Sequence, residues 1–451
     1  MSVHPIEFRY FYDDMRNLFT EEAKLQNWLN VEAALARGHA KLGHIPEAAA
    51  REITAKANTS LVKLDRVKKI ESEINHDLMA MVKGLTEVCS DSAGKYVHFG
   101  ATSYDIEDTA LALQLTGALK IIDKDLKTLR GTLVDLAEKH KNLVCIGRTH
   151  GQQAVPTTYG LKFAIYACEL ERHLDRLAVA HERLSVGKMS GAVGSQASFG
   201  KDAGLLQSRI MAELGLKAAE VSNQVIQRDR HGEAICLLAL IASTADKIAK
   251  EIRNLQRTEI GEVGESFSRK QVGSSTMPHK RNPFKSERVC SLARVVRAQA
   301  GAALENIALE HERDLTNSAA ERVIFPESFI LTDYLLRQLN EIIIDLVLNE
   351  ENIKRNLNFT GGLVMFESLM IGLVEKGMGR QEAHEILRVA AGEVWVEKKN
   401  LMEVLSANKQ IRRFMGEDEL ENYLNPRNYI GTAVEQVEAV VKNLRSSNAG
   451  L

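Results

Sequence analysis

The segment of the sequence with the most unusual chemistry is residues 273–283, GSSTMPHKRNP. Glycine and two serines make its beginning flexible, and Pro278 and Pro283 exclude a helix between them. Lys280, Arg281 and Asn282 then supply cationic and amide hydrogen-bond donors, which suit an anionic oxygen. We therefore expect an irregular segment between two long helices that binds an anionic group.

Five further polar clusters interrupt the helical patterns, and each has an ordinary structural explanation when taken alone. A loop histidine is usually a surface residue, the fourth cluster suits a solvated charged turn, and Thr102 with Ser103 suits the cap of a following helix. A helix N-terminus with two hydroxyls and a neighbouring histidine also suits an anion. The clusters are EINHD at 73–77, HFGATSYD at 98–105, GRTHGQQ at 147–153, NQVIQRDRH at 223–231 and HERDLTNSAAER at 311–322.

Several standard catalytic motifs are absent from the sequence. His181, His311 and His384 each precede a glutamate, but no second histidine follows four residues later, so a zinc-protease helix is excluded. Neither a phosphate-binding GxxxxGK[ST] loop nor a GxSxG elbow occurs. The sequence therefore favours acid–base chemistry on an anionic substrate, with no metal or cofactor.

Elimination next to a carboxylate would use these groups well. A base removes a carbon-bound proton while Lys280, Asn282 and loop amides stabilise the carboxylate as it takes up charge. A protonated histidine then donates to the leaving nitrogen or oxygen, and Glu287 can hold such a histidine in its charged form.

Apolar residues recur at spacings of three and four, the pattern of packed helices. The longest such pattern predicts a helix over 109–140, about 48 Å long at 1.5 Å per residue. Further patterns lie within 163–177, 235–255, 289–296 and 325–346, with no comparable strand alternation between them. The sequence predicts an all-α protein of three helical domains, 1–108, 109–349 and 350–451, with a central bundle of five long helices. Helices of this length expose more apolar surface than one bundle covers, so we expect oligomerisation.

Composition excludes several classes of protein. The 451 residues carry a net charge of −2, which makes nucleic acid an improbable partner. The first residues lack the build of a signal peptide, and no apolar run is long enough for a membrane span. The five cysteines are scattered, which is typical of free thiols in a reducing cytoplasm.

The string GSSTMPHKRNP closely resembles the signature of the fumarase/aspartase superfamily. Within it, the remaining motifs resemble those of the adenylosuccinate lyase family over nearly the whole chain, most strongly from residue 70 to 325. The motifs that carry this resemblance are RY at 9–10, HD at 76–77, HFGATSYD, GRTHGQQAVPTTYG, QRDRH, SAAER and LNPRNYIG.

The resemblance implies a β-elimination that releases fumarate, from adenylosuccinate to give AMP and from succinylaminoimidazole carboxamide ribotide in purine biosynthesis. It implies that Ser274 is the base, His150 the acid and Glu287 the partner of His150, with His76 and His98 near the reacting centre. The residues implied to contact substrate are Arg9, Tyr10, Asp77, Thr102, Ser103, Thr149, Gln224, Ser275, Met277, Lys280, Asn282, Arg313, Ser318 and Arg322. Serine is a poor base at its ordinary pKa, so we expect loop closure to activate Ser274.

The clusters lie near different ends of helices 40–50 Å long, so one chain cannot bring them all together. The resemblance implies a cytoplasmic homotetramer whose active sites each draw on three chains. Two alternatives remain. The chain can be another superfamily lyase or a carboxymuconate cycloisomerase, although Arg9-Tyr10, His76-Asp77 and the Ser318 and Arg322 pair suit a phosphorylated substrate. It can also be a non-catalytic structural protein on the same scaffold.

Overall fold

A computed structural model describes residues 3–267 and 276–446. Helices dominate this part of the chain, and the prediction of an all-α fold is confirmed. The helices are α1 Asp13–Leu18, α2 Glu21–Lys41, α3 Glu47–Lys56, α4 Leu64–Ile74, α5 Asp77–Val88, α6 Asp91–Gly94, α7 Ser103–Lys139, α8 Tyr159–Leu184, α9 Ala203–Glu213, α10 Asp229–Leu255, α11 Phe284–Glu305, α12 Ser318–Ile344, α13 Glu350–Leu357, α14 Phe366–Glu375, α15 Arg380–Val396, α16 Leu401–Ala407, α17 Lys409–Arg412, α18 Glu417–Leu424 and α19 Ala433–Ser446.

The five long helices expected from the apolar patterns are α7, α8, α10, α11 and α12, which contain 37, 26, 27, 22 and 27 residues. The first of them begins six residues before the predicted start, because Ser103 and Tyr104 are already helical. Its apolar face is buried as the periodicity predicts: Leu126, Leu129 and Leu133 are each 0% exposed.

The described residues also contain three pairs of short strands, which the sequence analysis did not predict. The longest pair is antiparallel, β1 Val144–Thr149 with β2 Gln152–Thr158. The others are β3 Val186–Gly187 with β4 Lys217–Ala218, which are parallel, and β5 Val263–Gly264 with β6 Val347–Leu348, which are antiparallel. The segment 147–153, expected as a plain connection between helices, therefore includes a hairpin turn. Its strands are too short, and too interrupted by glycine and proline, to give a clear alternating pattern.

The chain divides into two compact units, Met1–Lys127 with Arg172–Asp246 and Val289–Gln338, and Thr128–Glu171 with Lys247–Arg288 and Leu339–Leu451. A hydrophobic core of the first unit lies among α2, α3, α5 and α9, and a core of the second lies among α14, α15, α16 and α18. The three-domain division at residues 108 and 349 stays a prediction.

In the described residues no helix is long and apolar enough to cross a membrane. The same residues contain no group of three or more histidine, cysteine, aspartate or glutamate side chains able to hold a metal ion. The five cysteines carry free thiols.

Candidate active site

An open cavity of about 670 Å³ in the first unit brings together six residues that the sequence analysis selected. They come from the N-terminus of α5, the first turn of α7, the segment before α12 and the first turns of α12. They are His76, Asp77, Ser103, Arg313, Ser318 and Arg322. Two arginines, two hydroxyls and a histidine in one cavity suit a phosphorylated ligand.

The N-terminus of α5 positions one acidic side chain of this cavity. Asn75 ends α4 in a left-handed conformation (φ 54°), and the ring of His76 then caps α5 by accepting from the backbone N–H of Met79 at 3.4 Å. Asp77 follows as the first helical residue, and its carboxylate lies 2.6 Å from Nη2 of Arg322. Burial opposes ionisation of Asp77, but the adjacent Arg322 charge and hydrogen bond hold its pKa below the usual value.

The segment before α12 carries a second arginine, which Tyr104 orients. The guanidinium of Arg313 lies 3.6 Å from the centroid of the Tyr104 ring and donates to Oε1 of Gln224 at 3.0 Å. The Tyr104 hydroxyl in turn donates to Ser318 Oγ at 3.4 Å. Gln224, another predicted substrate residue, therefore reaches this group through Arg313.

Beneath these residues lies a buried ion-pair network that the sequence analysis missed. Arg228 is 2% exposed and donates to Asp108 at 2.9 and 3.1 Å and to Glu321 at 2.8 Å. The interpretation of 223–231 as a solvated turn is wrong for Arg228 and His231, which is 6% exposed. Burial and the nearby Arg228 charge lower the pKa of His231 to about 3, so this histidine is neutral at physiological pH.

Two further predicted residues, His98 and Thr102, lie just before α7 and do not line the cavity. His98 has a left-handed backbone (φ 61°) and pairs with the buried carboxylate of Glu32 at 2.6 Å. The backbone N–H of Thr102 donates to Asp105 Oδ2 at 2.9 Å. The same aspartate accepts from Nζ of Lys188 at 2.6 Å, so this turn is fixed by buried charges.

Arg9 and Tyr10, the predicted nucleotide contacts near the start of the chain, are also absent from the cavity wall. The Arg9 guanidinium lies 5.6 Å from the centroid of the Tyr10 ring, and this ring packs edge-on against Tyr334 at 5.6 Å. Arg9 is exposed to solvent.

In the second unit, Thr149 ends β1 and His150 begins the turn between β1 and β2. His150 and the following Gly151 have left-handed backbones, with φ 54° and 74°, and the His150 side chain is exposed. A tight turn of this kind places an imidazole at the tip of a rigid hairpin.

A buried carboxylate anchors that hairpin. Glu262 is 0% exposed and accepts from Nη2 of Arg148, from the hydroxyl of Tyr159 at 2.7 Å and from Nδ2 of Asn356 at 2.8 Å. Burial opposes its ionisation, but the hydrogen bonds from Arg148, Tyr159 and Asn356 hold the pKa of Glu262 below the usual value. Sequence reasoning missed Glu262, since its partners are far away in the chain.

The remaining predicted residues belong to the segment 273–283 and to the first turn of α11. Met277 and Lys280 are exposed, and the backbone N–H of Lys280 donates to Met277 O at 3.0 Å in a turn. Asn282 is half-buried, and Glu287 is exposed in the first turn of α11. The absence of helix between Pro278 and Pro283 is confirmed. Ser274 and Ser275 lie outside the described residues.

Among the described residues, no hydrogen bond or ion pair joins His150 to Glu287. Six predicted residues thus share one cavity of the first unit, and the predicted acid with its partner lies in the second unit.

Family models match two parts of the chain: Lyase over residues 7–298, and Adenylosuccinate lyase C-terminus over residues 362–440. The adenylosuccinate lyase of Pyrococcus abyssi is 57% identical over 98% of each chain. That of Methanocaldococcus jannaschii is 50% identical over 99% of this chain and 97% of its own. The chain belongs to the adenylosuccinate lyase family. It is therefore a lyase, and the family that the sequence motifs indicated is confirmed.

Solved structures of other lyases and of cycloisomerases share the fold of this adenylosuccinate lyase family member. The fumarate lyase of Mesorhizobium sp. BNC1 matches with a TM-score of 0.89 and 32% identity, covering 96% of this chain and 98% of its own. The 3-carboxy-cis,cis-muconate lactonizing enzyme of Pseudomonas putida matches with a TM-score of 0.90 and 33% identity, covering 98% and 99%. Sequence identity is thus markedly higher to the adenylosuccinate lyases than to these enzymes.

Proposed function

We propose that the protein cleaves adenylosuccinate to AMP and fumarate, and succinylaminoimidazole carboxamide ribotide in the same way. The observation that carries the proposal is the cavity of the first unit, where Arg313, Ser318 and Arg322 offer a set of donors for a phosphate. Both substrates carry a phosphate and a succinyl group on nitrogen, so one site serves both.

The reaction needs one proton removed and one delivered. Ser274 Oγ, in its deprotonated form, takes a proton from the succinyl carbon next to a carboxylate, and that carboxylate takes up the negative charge. Lys280, Asn282 and Ser275 stabilise it by hydrogen bonding and charge. The electrons then form the carbon–carbon double bond of fumarate as the carbon–nitrogen bond breaks.

His150 supplies the second proton. In its protonated form, His150 donates to the leaving nitrogen, so that AMP departs with a neutral amino group. Glu287 stabilises the positive charge of His150 before the transfer. The position of His150 on a hairpin that is anchored by Glu262 supports this role, because a general acid must be held at a fixed angle to the leaving atom.

The other predicted residues complete the site. Thr102, Ser103, Thr149 and Gln224 line the succinyl end, and Met277 shapes the loop turn. His76 and His98 lie near the reacting centre, while Arg9 and Tyr10 add contacts to the nucleotide. No metal or cofactor enters this scheme.

We propose further that the protein works in the cytoplasm as a homotetramer with sites shared among three chains. One observation supports sharing: no described hydrogen bond or ion pair joins His150 to Glu287, its proposed partner. The long helices also expose apolar side chains suited to a subunit interface. Examples are Ile165 on α8, 52% exposed, Leu240 on α10, 51%, and Leu304 on α11, 52%.

The test is incubation of the purified protein with adenylosuccinate, followed by ultraviolet absorbance. Loss of the substrate absorbance, with AMP and fumarate recovered in equal amounts, is the expected result. A parallel incubation with carboxymuconate tests the cycloisomerase alternative that the structural neighbours raise. Turnover of carboxymuconate alone, or of neither compound, would overturn the proposal.

A further inference from the structure

The cavity of the first unit contains an acidic residue that neither the sequence motifs nor the proposed mechanism uses. Glu107 lies one helical turn beyond Ser103 on α7 and faces two cavities. One is the 670 Å³ cavity already described, and the other is a neighbouring cavity of about 300 Å³. The walls that the two cavities share are Lys68, Tyr104, Glu107, Ser318 and Arg322.

Unlike the neighbouring carboxylates, Glu107 has no basic side chain in ion-pair contact among the described residues. Arg228 forms ion pairs with Asp108 and Glu321, and Arg322 forms one with Asp77. The Glu107 side chain makes no hydrogen bond or ion pair among the described residues. A partly buried carboxyl group between two other carboxylates is more stable when it holds a proton.

A ligand can displace Asp77 from the ion pair with Arg322 that lies next to Glu107. Arg322 is 53% exposed and bonds Asp77 at 2.6 Å, so the arginine is accessible from the cavity. A phosphate dianion offers that arginine a stronger partner than a single carboxylate does. Asp77, 18% exposed, would then lose its counter-ion beside Glu107.

We propose that Glu107 keeps a proton at neutral pH and shares it with Asp77 when the phosphate of a nucleotide takes Arg322 from that aspartate. The proton forms a hydrogen bond between the two carboxyl groups, so the pair carries one negative charge in place of two. This makes Glu107 a positioning residue that acts on Arg322 through Asp77. The inference rests on the proposed function, since it takes the nucleotide phosphate as the ligand of this cavity.

The electrostatics around Glu107 agree with this geometry. Burial, together with the negative charges of Asp77 and Asp108, raises the pKa of Glu107 to about 8. The positive charges of Arg322 and Arg313 act in the opposite direction. The titratable and charged groups that face the two cavities are Glu21 and Lys24 from α2, Lys68 and Glu71 from α4, His76 and Asp77 at α5, Tyr104 and Asp108 from α7, Arg228 just before α10, Arg313, and Glu321 and Arg322 from α12.

Nucleotide binding should therefore depend on pH above neutrality. At pH 9 most of the free protein has lost the proton of Glu107, and the complex must take one up from solvent. The affinity for AMP then falls by about tenfold between pH 7 and pH 9, the change for one ionisation near pH 8. The phosphate itself does not contribute, because its second pKa is about 6.

The experiment is titration calorimetry of the whole enzyme with AMP at pH 7 and pH 9, in buffers of different ionisation enthalpy. We expect almost no proton uptake at pH 7 and nearly one proton per site at pH 9 for the unmodified protein. Glu107→Gln copies the protonated acid, so it should bind AMP normally at pH 7, lose the uptake at pH 9 and keep its affinity there. Asp77→Asn removes the negative charge that the shared proton offsets, so it should also lose the uptake, which covers the case in which one variant fails to fold.

The matched control is Glu71→Gln, since Glu71 lines the same cavity but is paired with Lys68 at 3.3 Å. This variant should keep the uptake of the unmodified protein. The inference would be overturned if Glu107→Gln took up as many protons as the unmodified protein, or if the unmodified protein took up none at pH 9. If cleavage of adenylosuccinate continued in that case, the proposed function would stand. Failure to bind AMP together with failure to cleave adenylosuccinate would instead overturn the proposed function, and this inference with it.

Discussion

The imidazole of His98 and the carboxylate of Glu32 form a buried pair in which Nδ1 lies 2.6 Å from Oε1. The backbone N–H of His98 also donates to this carboxylate, at 3.1 Å. Two contacts from one glutamate fix both the ring and the left-handed backbone of the histidine. Glu32 therefore controls the orientation and the charge of His98, at a point just before α7.

Replacing this glutamate should change the titration of His98. Burial lowers the pKa of His98, but the charge and hydrogen bond of Glu32, with the charge of Asp105, raise it above the usual value. In Glu32→Gln the pKa of His98 should fall, which nitrogen-15 NMR of histidine-labelled protein measures. The stability gained from the charged pair is complete below the unfolded-state histidine pKa of about 6.5 and is lost as pH rises through the folded-state pKa. The loss of stability in Glu32→Gln should therefore be larger at pH 5.5 than at pH 8.5, and an equal loss at both would contradict the assignment.

Glu262→Gln should affect catalysis more than binding. The variant removes the negative charge that holds Arg148, and with it the restraint on the hairpin that carries His150. We expect kcat to fall roughly tenfold to a hundredfold, as for a misplaced general acid, with KM changed much less. Steady-state kinetics on adenylosuccinate measure both constants.

The matched control is Glu171→Gln, which breaks the pair with Arg130 in the same unit, away from the hairpin. It should lower the melting temperature without a change in kcat. A Glu262→Gln enzyme that lost stability but kept its kcat would show that Glu262 only supports the fold.

Arg228→Met should be strongly destabilising. It leaves Asp108 and Glu321 buried without their cation, and breaking a buried pair in this way costs about 3–5 kcal/mol. Arg183→Met breaks an exposed pair with Glu233 and should cost less than about 1 kcal/mol. Urea unfolding of both variants at one protein concentration compares them, and similar midpoints would contradict a structural role for Arg228.

Sequence patterns predicted the features that depend on residues close together in the chain. The burial of Leu126, Leu129 and Leu133 follows from their spacing alone, and so does the helix α7 that contains them. The break between Pro278 and Pro283 follows from proline geometry. Motif positions likewise predicted six residues that share the cavity of the first unit.

Features that depend on distant pairs were missed. The partners of Arg228 are Asp108 and Glu321, 120 and 93 residues away, so a charged segment that would be solvated in isolation is buried in the fold. Glu262 is 114 residues from Arg148. No local pattern indicates such partners. Glu107 has no sequence signal of its own and is recognised by the cavities that it faces.

Mixing two inactive variants tests whether sites are shared between chains. His150→Ala lacks the proposed acid and Ser274→Ala the proposed base, so each variant alone should bind substrate but turn over very slowly. If one site takes these two residues from different chains, then about a quarter of the sites in an equal, random mixture regain both, since each residue is intact with a probability of one half. Activity should therefore return to roughly a quarter of the unmodified level after unfolding and refolding together, or after prolonged exchange of subunits. Each variant treated alone is the control, and mass spectrometry of the intact assemblies verifies mixing. Verified mixed tetramers without recovered activity would mean that both residues come from one chain, and the proposal of shared sites would be wrong.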